Sequence, residues 1–238
     1  MGIIVVSGTG TEIGKTVVTA AVAAVATGQG RSVAVLKPAQ TGVGPGERGD
    51  ADEVVRLSGA RTSAELGRFP EPLAPATSAR RAGMTPIGPR EVADAAAKLA
   101  VEHDLVLVEG AGGLLVRFDE EGGTLADVAR LLGAPVLVVT PAGLGTLNST
   151  ALTAEALAAR GIEQLGVVVG SWPTAPDLAA RCNLADLPEA AGAPLLGAVP
   201  EGAGALDPAA FRAGAAGWLA PVLGGVWDAE AFAASARP

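Results

Sequence analysis

The chain has 238 residues, 49% of them hydrophobic and 18% charged, which suits one α/β domain with its own core and excludes a disordered chain. Its formal charge of −8, from 17 basic and 25 acidic residues, excludes a general nucleic-acid surface, because a phosphate backbone demands clustered Lys and Arg. A single cysteine, Cys182, excludes an intramolecular disulfide and a thiolate zinc site.

Met1-Gly2 runs straight into Ile3-Ile4-Val5-Val6, with no basic segment ahead of an apolar one, so no signal peptide is expected. No apolar stretch approaches the roughly 18 residues of a membrane span. A soluble, cytoplasmic protein with no membrane partner is the expectation, and the lone thiol fits that compartment. The only histidine, His103, sits beside Asp104 just before a strand and reads as a surface residue at a helix–strand junction. Arg80-Arg81 reads as a solvated loop feature or a patch for a small anion.

The first strand leads into Gly8-Thr9-Gly10-Thr11-Glu12-Ile13-Gly14-Lys15-Thr16, which opens a helix near 16–27. A strand, a glycine-rich loop and Gly-Lys-Thr at a helix start make a phosphate cradle of loop N–H groups and the positive helix end. Lys15 supplies a point charge there, and the Thr16 hydroxyl suits Mg²⁺. The spacing is off-pattern. In G-x-x-x-x-G-K-[ST] the first glycine falls on Thr9, and Gly8 sits one residue early. A dinucleotide-binding turn fits less well, since the third position of G-x-G-x-x-G is Ile13 and that turn has no use for a lysine.

Further continuous apolar runs follow at 33–36, 105–108, 136–139, 167–169 and 195–199, as expected of strands buried on both faces. Ala-rich helical segments lie near 90–102, 124–132, 149–160, 177–191 and 207–220. The alternation predicts a single-domain, P-loop NTPase-like α/β fold, a parallel sheet with helices on both faces and ligands beyond the strands' carboxyl ends. Residues 42–49 and 68–89 read as long loops, and 229–238 as a poorly ordered tail.

Polar groups gather at those strand ends. Strand two leads to Lys37-Pro38-Ala39-Gln40-Thr41-Gly42, where a lysine could stabilise charge on a transferring phosphoryl group. Asp50, Asp52 and Glu53 open the next helical segment; caps and dipole partners explain one or two of them, and spacing leaves Asp50 and Asp52 open as the carboxylate for Mg²⁺. The strand at 105–108 leads to Glu109-Gly110-Ala111-Gly112-Gly113, a carboxylate in the Walker-B place with glycines that admit a ligand close to the backbone. The next strand leads to Thr140–Ser149, which reads as a turn with an Asn148 or Ser149 N-cap or as a substrate contact, and the last two lead to Gly170-Ser171-Trp172-Pro173 and Pro200-Glu201-Gly202, where a P-loop fold commonly surrounds base and ribose.

Taken together, residues 8–16, Lys37-Pro38 with Thr41-Gly42, Asp50-Ala51, 109–113 and Leu144-Gly145-Thr146-Leu147-Asn148 resemble the dethiobiotin synthetases, a P-loop family with an altered Walker A loop. The resemblance runs in order from residue 3 to about 202 and implies an ATP- and Mg²⁺-dependent ligase of biotin synthesis. Such enzymes close a cyclic urea from 7,8-diaminononanoate and CO₂ through a carbamate and a carbamic–phosphoric anhydride, releasing ADP and phosphate. It implies Lys37 and Lys15 as catalytic, with Lys15 on the phosphates. Nucleotide contacts are implied for Glu12, Ile13, Gly14, Lys15, Thr16, Val17, Asp50, Glu109, Gly110, Ala111, Gly112, Gly170, Ser171, Pro200, Glu201 and Gly202. Mg²⁺ falls to Thr16, Asp50 and Glu109, the Asp-Ala match favouring Asp50. Substrate contacts fall to Thr11, Lys37, Thr41, Gly112 and Gly113, and to Gly145, Thr146, Leu147 and Asn148 reaching across a homodimer.

Gly170-Ser171 stands where the family usually carries an asparagine that reads the base, so relaxed base preference, with CTP or another nucleoside triphosphate serving beside ATP, is expected. Two other functions compete. A cobyrinate-type amide synthetase requires a glutaminase cysteine, and Cys182 lies in Arg181-Cys182-Asn183 without a glycine-rich elbow. A partition- or nitrogenase-type ATPase switch usually carries a second P-loop lysine, and Thr9-Gly10-Thr11 has none.

Overall fold

The apolar runs become strands of one sheet in a computed structural model that describes residues 2–44 and 46–236. The strands are β1 (Gly2–Gly8), β2 (Val33–Thr41), β3 (Thr62–Phe69), β4 (Leu105–Gly113), β5 (Val136–Thr140), β6 (Gln164–Trp172) and β7 (Leu195–Pro200). All pairings are parallel, in the order β3-β2-β4-β1-β5-β6-β7. Val5, Val6, Leu36, Leu107, Val138 and Val168 are fully buried, so the interior strands bury both faces and read as continuous apolar sequence.

The helices are α1 (Lys15–Gly28), α2 (Asp50–Ser58), α3 (Pro75–Ala82), α4 (Pro89–Glu102), α5 (Leu125–Leu132), α6 (Thr146–Ala158), α7 (Leu178–Ala191), α8 (Pro208–Ala215) and α9 (Ala229–Ser235). Connections leaving β1 run toward β2 and β3, while those leaving β4 run toward β5 to β7. With right-handed crossovers, this reversal puts helices on both faces and opens a crevice beyond the carboxyl ends of β1 and β4.

Three expectations need correction. β3 and α3 occupy sequence expected as loop or left unassigned. β3 reads Thr-Ser-Ala-Glu-Leu-Gly-Arg-Phe because it is an edge strand, half-buried along most of its length, and an edge lacks the continuous apolar signature. β2 and β4 run on to Thr41 and Gly113, so Lys37 and Glu109 lie within strands and not after them. Pairing of β2 with β4 is recorded only from Val33 to Leu36, which leaves Pro38 where the two strands have parted. Finally, the segment expected as a tail forms α9. The Asp228 side chain accepts from the Ala231 N–H, and Phe232 stacks edge-on against Trp172 at 5.2 Å. Residues 237–238 of that tail lie outside the described residues.

Among the described residues, no helix is long and apolar enough to cross a membrane. His103 caps α4 and tethers it to β3, with Nδ1 2.9 Å from the Leu99 carbonyl and Nε2 2.9 Å from Thr62 Oγ1. Arg80 and Arg81 are helical, not in a loop, and pair with Glu120 and Glu71.

Candidate active site

The phosphate loop is held in shape by its glycines. Gly14 adopts φ 91° as it enters α1, and a side chain there would run into the Gly170 carbonyl of β6. Gly8 is crowded by the Gly10 carbonyl and the Ile13 side chain, each 2.9 Å from where a Cβ would lie. Glu12 is the one non-glycine with positive φ, 58°, among the described residues. The extra residue of the loop is therefore accommodated by a left-handed step at Glu12.

Lys15 is buried, and its ammonium donates to the Gly10 carbonyl at 2.7 Å. Burial, and then the nearby Lys37 charge, hold its pKa below the ordinary 10.5. Lys37 is 3% exposed and donates to Glu109 Oε1 at 2.9 Å and to the Gly110 carbonyl at 3.2 Å. It also pairs with Asp50 at 2.5 Å. Burial pushes this ammonium down, but Glu109 and Asp50 together outweigh burial and hold its pKa above 10.5.

Glu109 Oε1 is shared, because the Thr16 hydroxyl donates to it at 2.8 Å. Glu109 Oε2 is buried and has no partner. An unmatched buried carboxylate oxygen beside a threonine hydroxyl and a second carboxylate is a hard-oxygen donor set that fits Mg²⁺. Among the described residues there is no group of three or more His, Cys, Asp or Glu able to hold a metal. Thr16, Glu109 and Asp50 would hold the ion only together with phosphate oxygens and water, which is how Mg²⁺ is usually bound.

The two candidate aspartates divide. Asp50 reaches Lys37, whereas Asp52 Oδ2 accepts the Gly49 N–H at 3.0 Å in the capping box of α2. A cavity of about 740 Å³ opens beside them, lined by the P-loop from Thr11 to Thr16, the end of β2, Asp50, Ala111 and Gly112. Its far wall is apolar, built by Pro72, Leu73, Pro75 and Val116. Sequence reasoning missed that wall, and missed Gln40, whose buried amide accepts the Asp50 N–H at 2.7 Å. The wall carries no motif, since packing alone brings it to the site.

Comparison with known proteins fits this geometry. Residues 3–208 match the family model described as an AAA domain. Over 238 residues, all of both chains, the sequence is 73% identical to the ATP-dependent dethiobiotin synthetase BioD of Streptomyces avermitilis. The chain belongs to the dethiobiotin synthetases. The dethiobiotin synthetase of Saccharopolyspora erythraea is 69% identical, across 96% of this chain and 100% of that one. Solved structures show the fold alone: a ParA family ATPase from Chlorobium tepidum superimposes with TM-score 0.55 at 14% identity, covering 88% of each chain. Chloroplast FtsY from Physcomitrella patens does so with TM-score 0.58 at 17%, covering all of this chain and 65% of that one.

The remaining positions with family-implied roles fall into three sets outside the cavity lining. Val17 lies beside Gly204, Gly170 beneath the Ile13 carbonyl, and the Glu201 N–H donates to the Trp172 carbonyl at 2.7 Å. These contacts set Gly170 against the P-loop, join the end of β6 to Glu201, and put Val17 beside the turn that follows residues 200–202. Gly170 has no room for a side chain. Gly113 pairs with Gly8 in the sheet and stands behind the loop, not in the lining.

Gly145, Thr146, Leu147 and Asn148 start α6, and the structure does not bring them to this cavity. The Thr146 side chain points inward. It is buried, and its hydroxyl is spent on Thr140 Oγ1, which also meets Thr150 at 2.9 Å and Thr9 at 3.3 Å. Thr146 therefore ties α6 to β5 and, through Thr140 and Thr9, to the P-loop.

Proposed function

We propose that the chain closes the cyclic urea of dethiobiotin from 7,8-diaminononanoate and CO₂ at the cost of ATP, as the penultimate step of biotin synthesis. The observation that carries this reading is Lys37, a buried ammonium held between Glu109 and Asp50 on the wall of a substrate-sized cavity that also contains a P-loop. One substrate amine adds to CO₂ and loses a proton, giving a carbamate. A carbamate oxygen attacks the γ-phosphorus as the bond to ADP breaks. The second amine then attacks the carbamic–phosphoric anhydride at carbon, phosphate leaves, and the remaining ammonium proton is released.

This route is a matter of positioning and charge, so it asks for no nucleophilic side chain. Lys37 stays protonated because its pKa lies above the ordinary lysine value, which makes it an electrostatic partner of the transferring group and not a base. Lys15 faces the phosphates from within the loop. Thr16, Asp50 and Glu109 would hold Mg²⁺, which when bound neutralises phosphate charge. Thr11, Thr41, Gly112 and the apolar wall offer a place for a short aliphatic diamine with a polar end.

Finer parts of the reading rest on separate observations. A homodimer is supported by the exposure of Leu144 (94%) and Leu152 (58%), one just before α6 and one on it, apolar surface that a second copy would cover. Relaxed base preference is supported by the crowding at Gly170, which denies that position a base-reading side chain. Phosphate release measured with ATP, Mg²⁺ and bicarbonate, with and without the diamine, tests the reaction. Release is expected only with the diamine present; equal release without it would defeat the proposal.

A further inference from the structure

Asp50 stands at the first turn of α2, and Gly49 before it is the N-cap of that helix. Arg68 on the edge strand β3 grips the backbone ahead of that N-cap. Its Nη1 donates to the Glu47 carbonyl at 2.6 Å and to the Gly44 carbonyl at 3.3 Å. Its Nε and Nη2 donate to the two Glu65 carboxylate oxygens at 2.9 and 3.0 Å, a bidentate pair that fixes the plane of the guanidinium. Nη2 also lies 3.8 Å from Asp52, the residue that caps α2.

Gln40 stands opposite Arg68 in the β2–β3 register and takes the Asp50 N–H. Gly49 fits between the two, with Gln40 Oε1 and Arg68 Nη2 at 2.9 and 3.0 Å from where its Cβ would lie. Two side chains at one register position therefore hold both ends of the same short stretch. One takes its carbonyls, and the other takes the first N–H of the helix.

We propose that Arg68 is a positioning residue for the metal-holding carboxylate Asp50, acting through the backbone of residues 47–49 and never touching the reactants. The proposal rests on the reading of Asp50 as a metal ligand. Arg68 makes four hydrogen bonds from one planar fork, two of them to a single carboxylate, and the three donors of a lysine ammonium cannot make all four.

The test measures Mn²⁺ binding to the full-length enzyme by electron paramagnetic resonance in the presence of a non-hydrolysable ATP analogue, alongside trypsin cleavage after the exposed Arg48. Arg68→Met is expected to raise the Mn²⁺ dissociation constant about tenfold or more, the usual effect of removing a residue that orients a ligand. It is also expected to speed cleavage after Arg48 and to raise the Mg²⁺ needed for half-maximal rate, with kcat largely recovered at saturating Mg²⁺. Arg68→Lys falls between Met and the parent. Glu65→Gln, which keeps the size of the partner, shifts both readouts in the same direction by less. If Asp50→Asn weakens Mn²⁺ binding while Arg68→Met leaves both Mn²⁺ affinity and Arg48 cleavage unchanged, the positioning role is overturned. If Asp50→Asn itself leaves Mn²⁺ affinity unchanged, the reading beneath it fails instead.

Discussion

The two lysines of the site sit in opposite electrostatic states, and that difference is testable. Lys15 is pushed down, burial first and Lys37 second, so its charge is lost as pH rises through a value below 10.5. In the interval up to 10.5 the unfolded chain binds more protons than the folded one, and Lys15's contribution to stability therefore grows with pH there. Lys37 runs the other way, with stability present below 10.5 and lost only as pH rises through its higher folded value. Affinity for ATP is expected to show an alkaline decline below pH 10.5 from Lys15, before Lys37 titrates; titration calorimetry across that range checks it, and flat affinity to pH 10.5 would contradict it. Lys37→Gln is expected to abolish turnover with nucleotide binding largely intact. Equal loss of nucleotide affinity would make Lys37 a phosphate clamp. For the base, kcat/KM with ATP and with CTP should be comparable, and strict dependence on ATP would refute relaxed base preference. Lys37 and Glu109 were legible because each follows a recognisable apolar run, whereas Asp50 was separated from Asp52 only by the Asp-Ala match to the family. Gln40 and Arg68 were not, since they act by taking backbone groups, a role that leaves no spacing in the sequence.

Among the elements, the interior strands could be read directly because burial on both faces demands unbroken apolar sequence. β3 escaped, as its edge position mixes Thr, Glu and Arg with apolar residues, and α3 escaped as a short, polar helix inside an expected loop. α9 shows how packing overrides the prior against chain ends. Its Phe232 touches Trp172, at the end of β6, and Trp227 at 5.4 Å, so the last helix braces the strand that carries Gly170-Ser171. Phe232→Ala is expected to cost about 2 kcal/mol of stability, less than a fully buried phenylalanine because this one is half-buried. Denaturant titration reads the loss, and a change within error of zero would show that α9 is not anchored there.

Across the molecule, the reversal of strand order near β1 places the P-loop and Glu109 side by side at the carboxyl end of the sheet, on its central strands. β2 and α2 then bring Lys37 and Asp50 to the same crevice. A cyclic urea is built from parts that such a crevice only has to align: two amines, one carbon and one phosphoryl donor. The measurement closest to this claim supplies ¹³C-bicarbonate with the diamine, Mg²⁺ and ATP, and follows the label by NMR while ADP is counted. The account requires the label in a single ring urea carbon, with one ADP formed for each ring closed. ADP formed without labelled urea, or label that stops at an acid-labile carbamate, would contradict it.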